Sequence, residues 1–197
     1  MTHRPANFIN MNTPAHIIVA IAALARKDAP KRNFAIAAGA IAPDFSIFVF
    51  FAWTQLFTNL TMEQIWREAY WTEPWQTFGA ISNSVPLALI ILAFGIWQKR
   101  EHITVFALAM LIHAGLDFPL HNDDAHRHFW PLTDWRFFSP VSYWDVNHHG
   151  RFGTIIEAIM SFIACFIIWQ RFPARWVRIV VGLMVALQLA TISFIFF

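Results

Sequence analysis

Charge is scarce in this chain of 197 residues. Only 13% are Asp, Glu, Lys or Arg, against 57% apolar or aromatic, and the mean hydropathy is +0.47. That balance excludes a disordered chain and a nucleic-acid coat, both of which need many exposed charges. Cysteine is nearly absent. The one thiol, Cys165 in an apolar run, closes no internal disulfide and makes no cysteine-based zinc site, so it reads as packing. Internal repeats and low-complexity tracts are also missing.

What is present is apolar sequence gathered into long runs. Phe78–Trp97, Ile103–Leu120, Phe152–Trp169 and Val177–Phe197 each approach the roughly 20 residues that span a bilayer. A fifth run, Asn33–Trp53, contains Pro43, which lacks an N–H and crowds the carbonyl four residues back, so this span should kink or break beside Asp44. A sixth, Pro14–Ala25, would cover only about 18 Å. Asn12-Thr13-Pro14 announces it, with Thr13 as N-cap and Pro14 in the first turn. Residues 1–197 are therefore expected to form a single integral membrane domain, an all-α polytopic bundle of about six hydrophobic segments. Ala23-Leu24-Ala25 resembles a signal-peptide cleavage site, but the basic block follows the apolar stretch instead of preceding it. Met1 and Met11 both stand as candidate starts.

The basic residues orient the bundle. Arg26–Arg32, Lys99–Arg100 and Arg171–Arg178 hold nine of the 14 Lys and Arg, and these connections alternate with the others. The positive-inside rule then places both termini, the 58–77 connection and the 121–151 connection on the outer face. The 121–151 connection is rich in His, Asp and Trp and does not read as a linker. Trp130, Trp135, Phe137, Phe138, Tyr143 and Trp144 suit the membrane–water boundary as an aromatic belt.

Inside the apolar runs the ionisable residues are His16, Asp44, His113, Asp117 and Glu157; none is Lys or Arg. A carboxylate in hydrocarbon costs at least about 2.5 kcal/mol, so such groups face a partner, a cavity or a cation. The topology gathers them toward the outer side, with Asp44 about 15 Å from the inner face if its helix runs straight. His113 and Asp117, spaced i, i+4, share a helix face and can hold one ion between them. Gly115 between them is expected to permit close helix approach, and Pro119 to end the helix so that His121 turns back toward the site. Asp123, Asp124, His126 and His128 follow, then Asp145, His148 and His149, more nitrogen and oxygen ligands than one site can use. Blander readings remain open: an inter-helix hydrogen bond for His16, a half-helix cap for Asp44, a turn for Asp123-Asp124 and a solvated pair for His148-His149.

These residues resemble the N-terminal pattern of a membrane-bound metal-dependent hydrolase family, an early His followed by Gly-x-x-x-Pro-Asp: here His16, then Gly39, Pro43 and Asp44. They are also similar to the ligand pattern of zinc-dependent phospholipases C, an early His, an Asp and a His-x-x-x-Asp pair, matched by His16, Asp44, His113 and Asp117. The likeness covers about half the chain; the His-Arg-Gly-x-Thr-His-Ser segment of many membrane-bound hydrolases is absent, and Gly153 stands where a second His would pair with Glu157. The stretch from Asp124 to Asp145 looks most like a group of bacterial inner-membrane proteins, some carrying a cobalamin-biosynthesis label that no residue here supports.

The expectation is a zinc-like hydrolase at the outer face of a bacterial inner membrane, binding one or two divalent ions and acting on a lipid-borne phosphoester. His16, Asp44, His113 and Asp117 are the principal ligands, with His121 and His126 secondary; Glu157 or Asp124 handles the proton, and Arg127 or Arg136 holds a phosphate. Membrane lipid is the expected partner and nucleic acid is not. A transporter using the same residues as an ion path, or a scaffold with one structural ion, are the alternatives. Transport would be expected to leave polar residues in the inner halves too, where His102 is the lone ligand type among the basic residues.

Overall fold

The computed structural model describes residues 13–142 and 145–196, and its secondary structure is entirely helical. Tyr143, Trp144, Phe197 and both candidate start methionines lie outside the described residues. Three stretches are long and apolar enough to cross a membrane: Pro30–Phe57, Glu73–Trp97 and Gly150–Arg171. Exposed side chains such as Leu89, Ile90, Phe94, Ile159, Ile163 and Phe166 fit a surface solvated by lipid.

Helix α1 (Thr13–Leu24) is the short apolar element and lies centrally. Ala20 and Ala25 pack with Ile36, Ala40, Val105 and Ala109 on one side; Ile18 and Ala22 pack with Ala164, Cys165, Ile168, Val177 and Val181 on the other. The helices these residues belong to are α2 (Pro30–Ile41), α7 (Glu101–Asp117), α8 (Gly150–Arg171) and α9 (Arg175–Phe196). Alanine dominates the first seam because lipid tails are as apolar as side chains, so helices gain from close backbone approach more than from burying bulk. The last carbonyls of α1 receive guanidinium donors: Arg32 Nη1 binds Leu24 O, and Arg171 Nη1 binds Ala25 O at 2.8 Å. Arg26 and Arg32 meet Glu101 at 3.2 and 2.9 Å at the same end.

Two of the three long stretches are broken. After α2 a single 3₁₀ turn, Ala42–Asp44, leads into α3 (Phe45–Phe57), as Pro43 requires. The second break lies between α5 (Glu73–Ser82) and α6 (Val85–Trp97). There Ser84 caps α6 by accepting from Leu87 N at 3.1 Å, and Pro86 fits the first turn. Reading this run as Phe78–Trp97 therefore missed an interruption and the first five residues of α5, because Glu73 and Pro74 look like loop residues until they start a helix. Asn83 Nδ2 donates to Pro43 O at 3.1 Å, tying the two breaks together. A short helix, α4 (Met62–Arg67), starts with a Thr61–Gln64 capping box in the connection between α3 and α5.

The close approach expected at Gly115 occurs at Gly39 instead. A Cβ on Gly39 would lie 2.2 Å from Phe106 O of α7, whereas one on Gly115 meets nothing within 4 Å. Periodicity identifies the face a glycine occupies but not the helix opposite. Gly39→Ala is expected to force α2 off α7 and lower stability by about 1–3 kcal/mol, as overpacking does. Gly115→Ala should be neutral or stabilising by up to about 1 kcal/mol through helix propensity. Thermal unfolding of both variants in detergent checks the pair.

Candidate metal centre

Three chain segments deliver the site. α1 brings His16 within its first turns, the 3₁₀ turn brings Asp44, and the last two turns of α7 bring His113 and Asp117. Gly39 fixes how closely α2 lies on α7, and one residue later the Ala40 carbonyl is 2.7 Å from His113 Nδ1. A carbonyl can only accept, so Nδ1 carries the proton and Nε2 is directed at carboxylates: Asp117 Oδ2 at 2.9 Å and Asp44 Oδ1 at 3.5 Å. His16 Nε2 reaches the other Asp117 oxygen, Oδ1, at 2.9 Å. The His16 and His113 rings stack with centroids 3.9 Å apart. Two protonated rings at that separation would repel strongly, whereas two neutral rings sharing one cation do not.

The donor set fits a small divalent ion. His16, His113 and Asp117 each offer a ligand atom, all within 4.8 Å of one another. Zinc bound at about 2.0–2.2 Å in tetrahedral geometry keeps its ligand atoms about 3.3–3.6 Å apart, slightly wider than the 2.9–3.5 Å separations here. A histidine whose remote nitrogen donates to a backbone carbonyl has the support usual for a metal ligand. Among the described residues, the ion-pair partners of Asp44 and Asp117 are all histidines. Both acids are buried, at 9% and 3% exposure, so their charge has no lysine or arginine to offset it.

Asp44 also accepts from Thr13 Oγ1. Thr13 thus donates its hydroxyl to a candidate ligand, and Asp44, although it sits at the start of α3, makes no capping hydrogen bond. Thr13 was missed as a site residue because Thr-Pro is a strong start signal that conceals a second use of the side chain.

His121 turns back as expected. Its Nε2 is 3.5 Å from Asp117 Oδ1, and Asp124 Oδ2 holds the opposite nitrogen at 2.8 Å. Burial opposes its charge, but Asp124 and Asp117 outweigh that and hold it well above the usual imidazole range. His126 lies beside it, ring centroids 4.9 Å apart; burial and the neighbouring His121 push it down to about 3, so it is neutral. Asp117, His121 and His126 form a second group whose ligand atoms lie within 4.8 Å of one another. Asp124 thus acts on His121 from the side away from Asp117.

The remaining candidates lie elsewhere. Arg127 Nη1 binds Glu73 and Asp134 at 3.1 and 3.0 Å, while Arg136 binds Ala125 O and Gln76 at 2.8 and 2.9 Å and stacks over Trp71. Both clamp the 121–142 segment onto residues 71–77, so the partners found for these guanidiniums are structural ones. His128 Nδ1 faces Asn83 O at 3.3 Å, and burial lowers its pKa. His148 pairs with Asp145 at 2.6 Å near the start of α8. Tyr70, not anticipated from sequence, buries its phenol near Asp124, and burial with that charge pushes its pKa up. Glu157 of α8 borders the same small cavity as His16 and Asp117 and has Gln188 of α9 beside it.

No family model matches the chain, and neither a curated protein nor a solved structure does. The geometry alone therefore carries the assignment. Asp117→Asn, which removes a charge both ligand groups share, is expected to abolish divalent-ion binding. Asp124→Asn, which loosens only the support of His121, should weaken binding by about 10- to 100-fold where His121 is a ligand and leave it unchanged otherwise. Zinc and manganese titrations followed by calorimetry distinguish these results.

Proposed function

We propose that this protein is a metal-dependent hydrolase of a bacterial inner membrane, with its site at the outer face. Its natural form would be a bundle of six membrane-embedded segments with both termini outside. The observation that carries the reading is the convergence of His16 and His113 on the two oxygens of Asp117, with Asp44 3.5 Å from His113 Nε2 and His113 Nδ1 committed to Ala40 O. His16, His113 and Asp117 would hold one zinc-like ion, with Asp44 as a fourth ligand beside His113; Asp117 with His121 and His126 offers a position for a second. A bound ion of this kind supplies an activated water, whose pKa falls toward about 7, and a positive charge facing a phosphoryl oxygen.

The chain's own residues supply the rest. Ala40 and Asp124 fix the tautomers and directions of His113 and His121. Glu157, bordering the cavity beside His16 and Asp117, is placed to receive a proton and return it to a leaving group. Surrounding apolar helices keep bulk water out of the ligand cluster. A lipid-borne phosphoester is the substrate class that reaches such a position without leaving the membrane.

The alternative, ion transport, draws support from the paired breaks at Pro43 and Asn83, since discontinuous helices often line transport sites. Catalysis is favoured because the ligands cluster at one end. At the opposite end, Arg26 after α1 and Arg32 of α2 form ion pairs with Glu101 of α7, with no comparable set of ligand groups among the described residues.

Purified protein is expected to contain zinc, to cleave bis(4-nitrophenyl) phosphate or phosphatidylglycerol in vesicles, and to lose both metal and activity in His113→Ala or after chelation. Metal-loaded protein that cleaves neither probe yet carries zinc into sealed vesicles would replace this reading with transport.

A further inference from the structure

The strongest feature beyond the ligand cluster is the cavity of ≈ 20 Å³ between α1, α7 and α8. His16 and Asp117 border it on the ligand side, Glu157 and Ser161 on the α8 side, and Leu116 and Met160 contribute to its apolar wall. Ser161 and Glu157 are one helical turn apart, so both project toward the same place. Ser161 is 2% exposed, and its Oγ has no hydrogen-bond partner among the described residues; the same holds for the buried His16 Nδ1. An unsatisfied buried hydroxyl costs about 1–3 kcal/mol, so such groups ordinarily bind water. One water needs a polar cavity of about 10–15 Å³ and two to four polar partners. The volume fits one water, Ser161 Oγ and the Glu157 carboxylate are polar partners on an otherwise apolar wall, and little room is left for a carbon attached to that oxygen.

Resting on the hydrolase reading, we propose that this cavity is the seat of the attacking water, that Ser161 is the positioning residue that holds it against Glu157, and that the size of the seat makes water, not an alcohol, the acceptor. Glu157 as carboxylate takes one proton from the water while the water oxygen bonds to phosphorus. The bond from phosphorus to the leaving oxygen breaks, and the proton held by Glu157 ends on that alkoxide. No other reactant is consumed. Ser161 donates to or accepts from the water without touching phosphorus, and His16 Nδ1, which carries the proton when Nε2 is a ligand, can donate to it.

The test uses full-length protein, bis(4-nitrophenyl) phosphate and buffer with or without ethanol. Wild type is expected to yield the hydrolysis product alone in both. Ser161→Val, which fills the seat, should keep its bound metal and melting temperature but lose turnover by about 10- to 100-fold. Met160→Ala, which widens the wall, should begin to form the ethyl ester. Wild type forming ethyl ester in proportion to ethanol, or Ser161→Val turning over at the wild-type rate, would overturn the proposal. A crystal structure resolving ordered water gives an independent readout: an oxygen peak within hydrogen-bonding distance of Ser161 Oγ, lost in Ser161→Val, supports the seat, and its absence from wild type overturns it. Metal-loaded wild type that cleaves no phosphoester removes the hydrolase reading, and with it the role of this water as attacking group, whereas the peak still decides whether the seat exists.

Discussion

Asp117 is a carboxylate in an apolar bundle, 3% exposed, with His16 on one oxygen and His113 on the other. Much of the architecture follows from keeping it there. A lone ionised acid in such surroundings costs several kcal/mol, and truncating one partner of a buried pair leaves the rest uncompensated. The helix ends and breaks that bring imidazoles and a second carboxylate to it therefore depend on one another. The 3₁₀ turn places Asp44, the end of α7 lets His121 turn back, and the start of α1 supplies both Thr13 and His16.

Gly39 connects that electrostatic requirement to packing. Its lack of a Cβ lets α2 approach the α7 backbone so closely that Ala40 O can fix the tautomer of His113. A metal ligand normally takes its orientation from such a remote contact. His121 with Asp124, in the segment after α7, repeats the device with a carboxylate in place of a carbonyl. Two imidazoles, one in α7 and one just beyond its end, are thus each held from behind and aimed at different oxygens of the same acid.

Much of this could be read from the residues alone. The ionisable groups within apolar runs singled out His16, Asp44, His113 and Asp117, because hydrocarbon makes any such group expensive, and the i, i+4 spacing put the last two on one face. Pro43 announced its break. The second break did not announce itself, since Asn83 and Ser84 lie inside a run that is apolar on average and Pro86 is equally at home in a first helical turn. Ala40 contributes through its backbone, which no sequence pattern marks. Ser161 and Thr13 are small hydroxyl residues whose partners lie on other helices, so only the packing reveals what they face. Arg127 and Arg136 looked free to bind an anion because Glu73, Asp134 and Gln76 are distant in sequence or sit in a segment that reads as loop.

The polarity of the bundle supplies the last step. At one end of α1 two guanidiniums satisfy the terminal carbonyls that a helix leaves without partners, and charges there are paired with Glu101. At the other end, His16 and Thr13 face carboxylates. A cation moving through the chain would have to pass from the acidic cluster along α1 between seams of alanine, isoleucine and valine. Those close-packed seams offer it no successive oxygen or nitrogen ligands, whereas a reaction confined to one end requires none. The asymmetry therefore supports the proposed reading over passage, and under that reading access falls to the end where the 121–142 segment is clamped by Arg127 and Arg136.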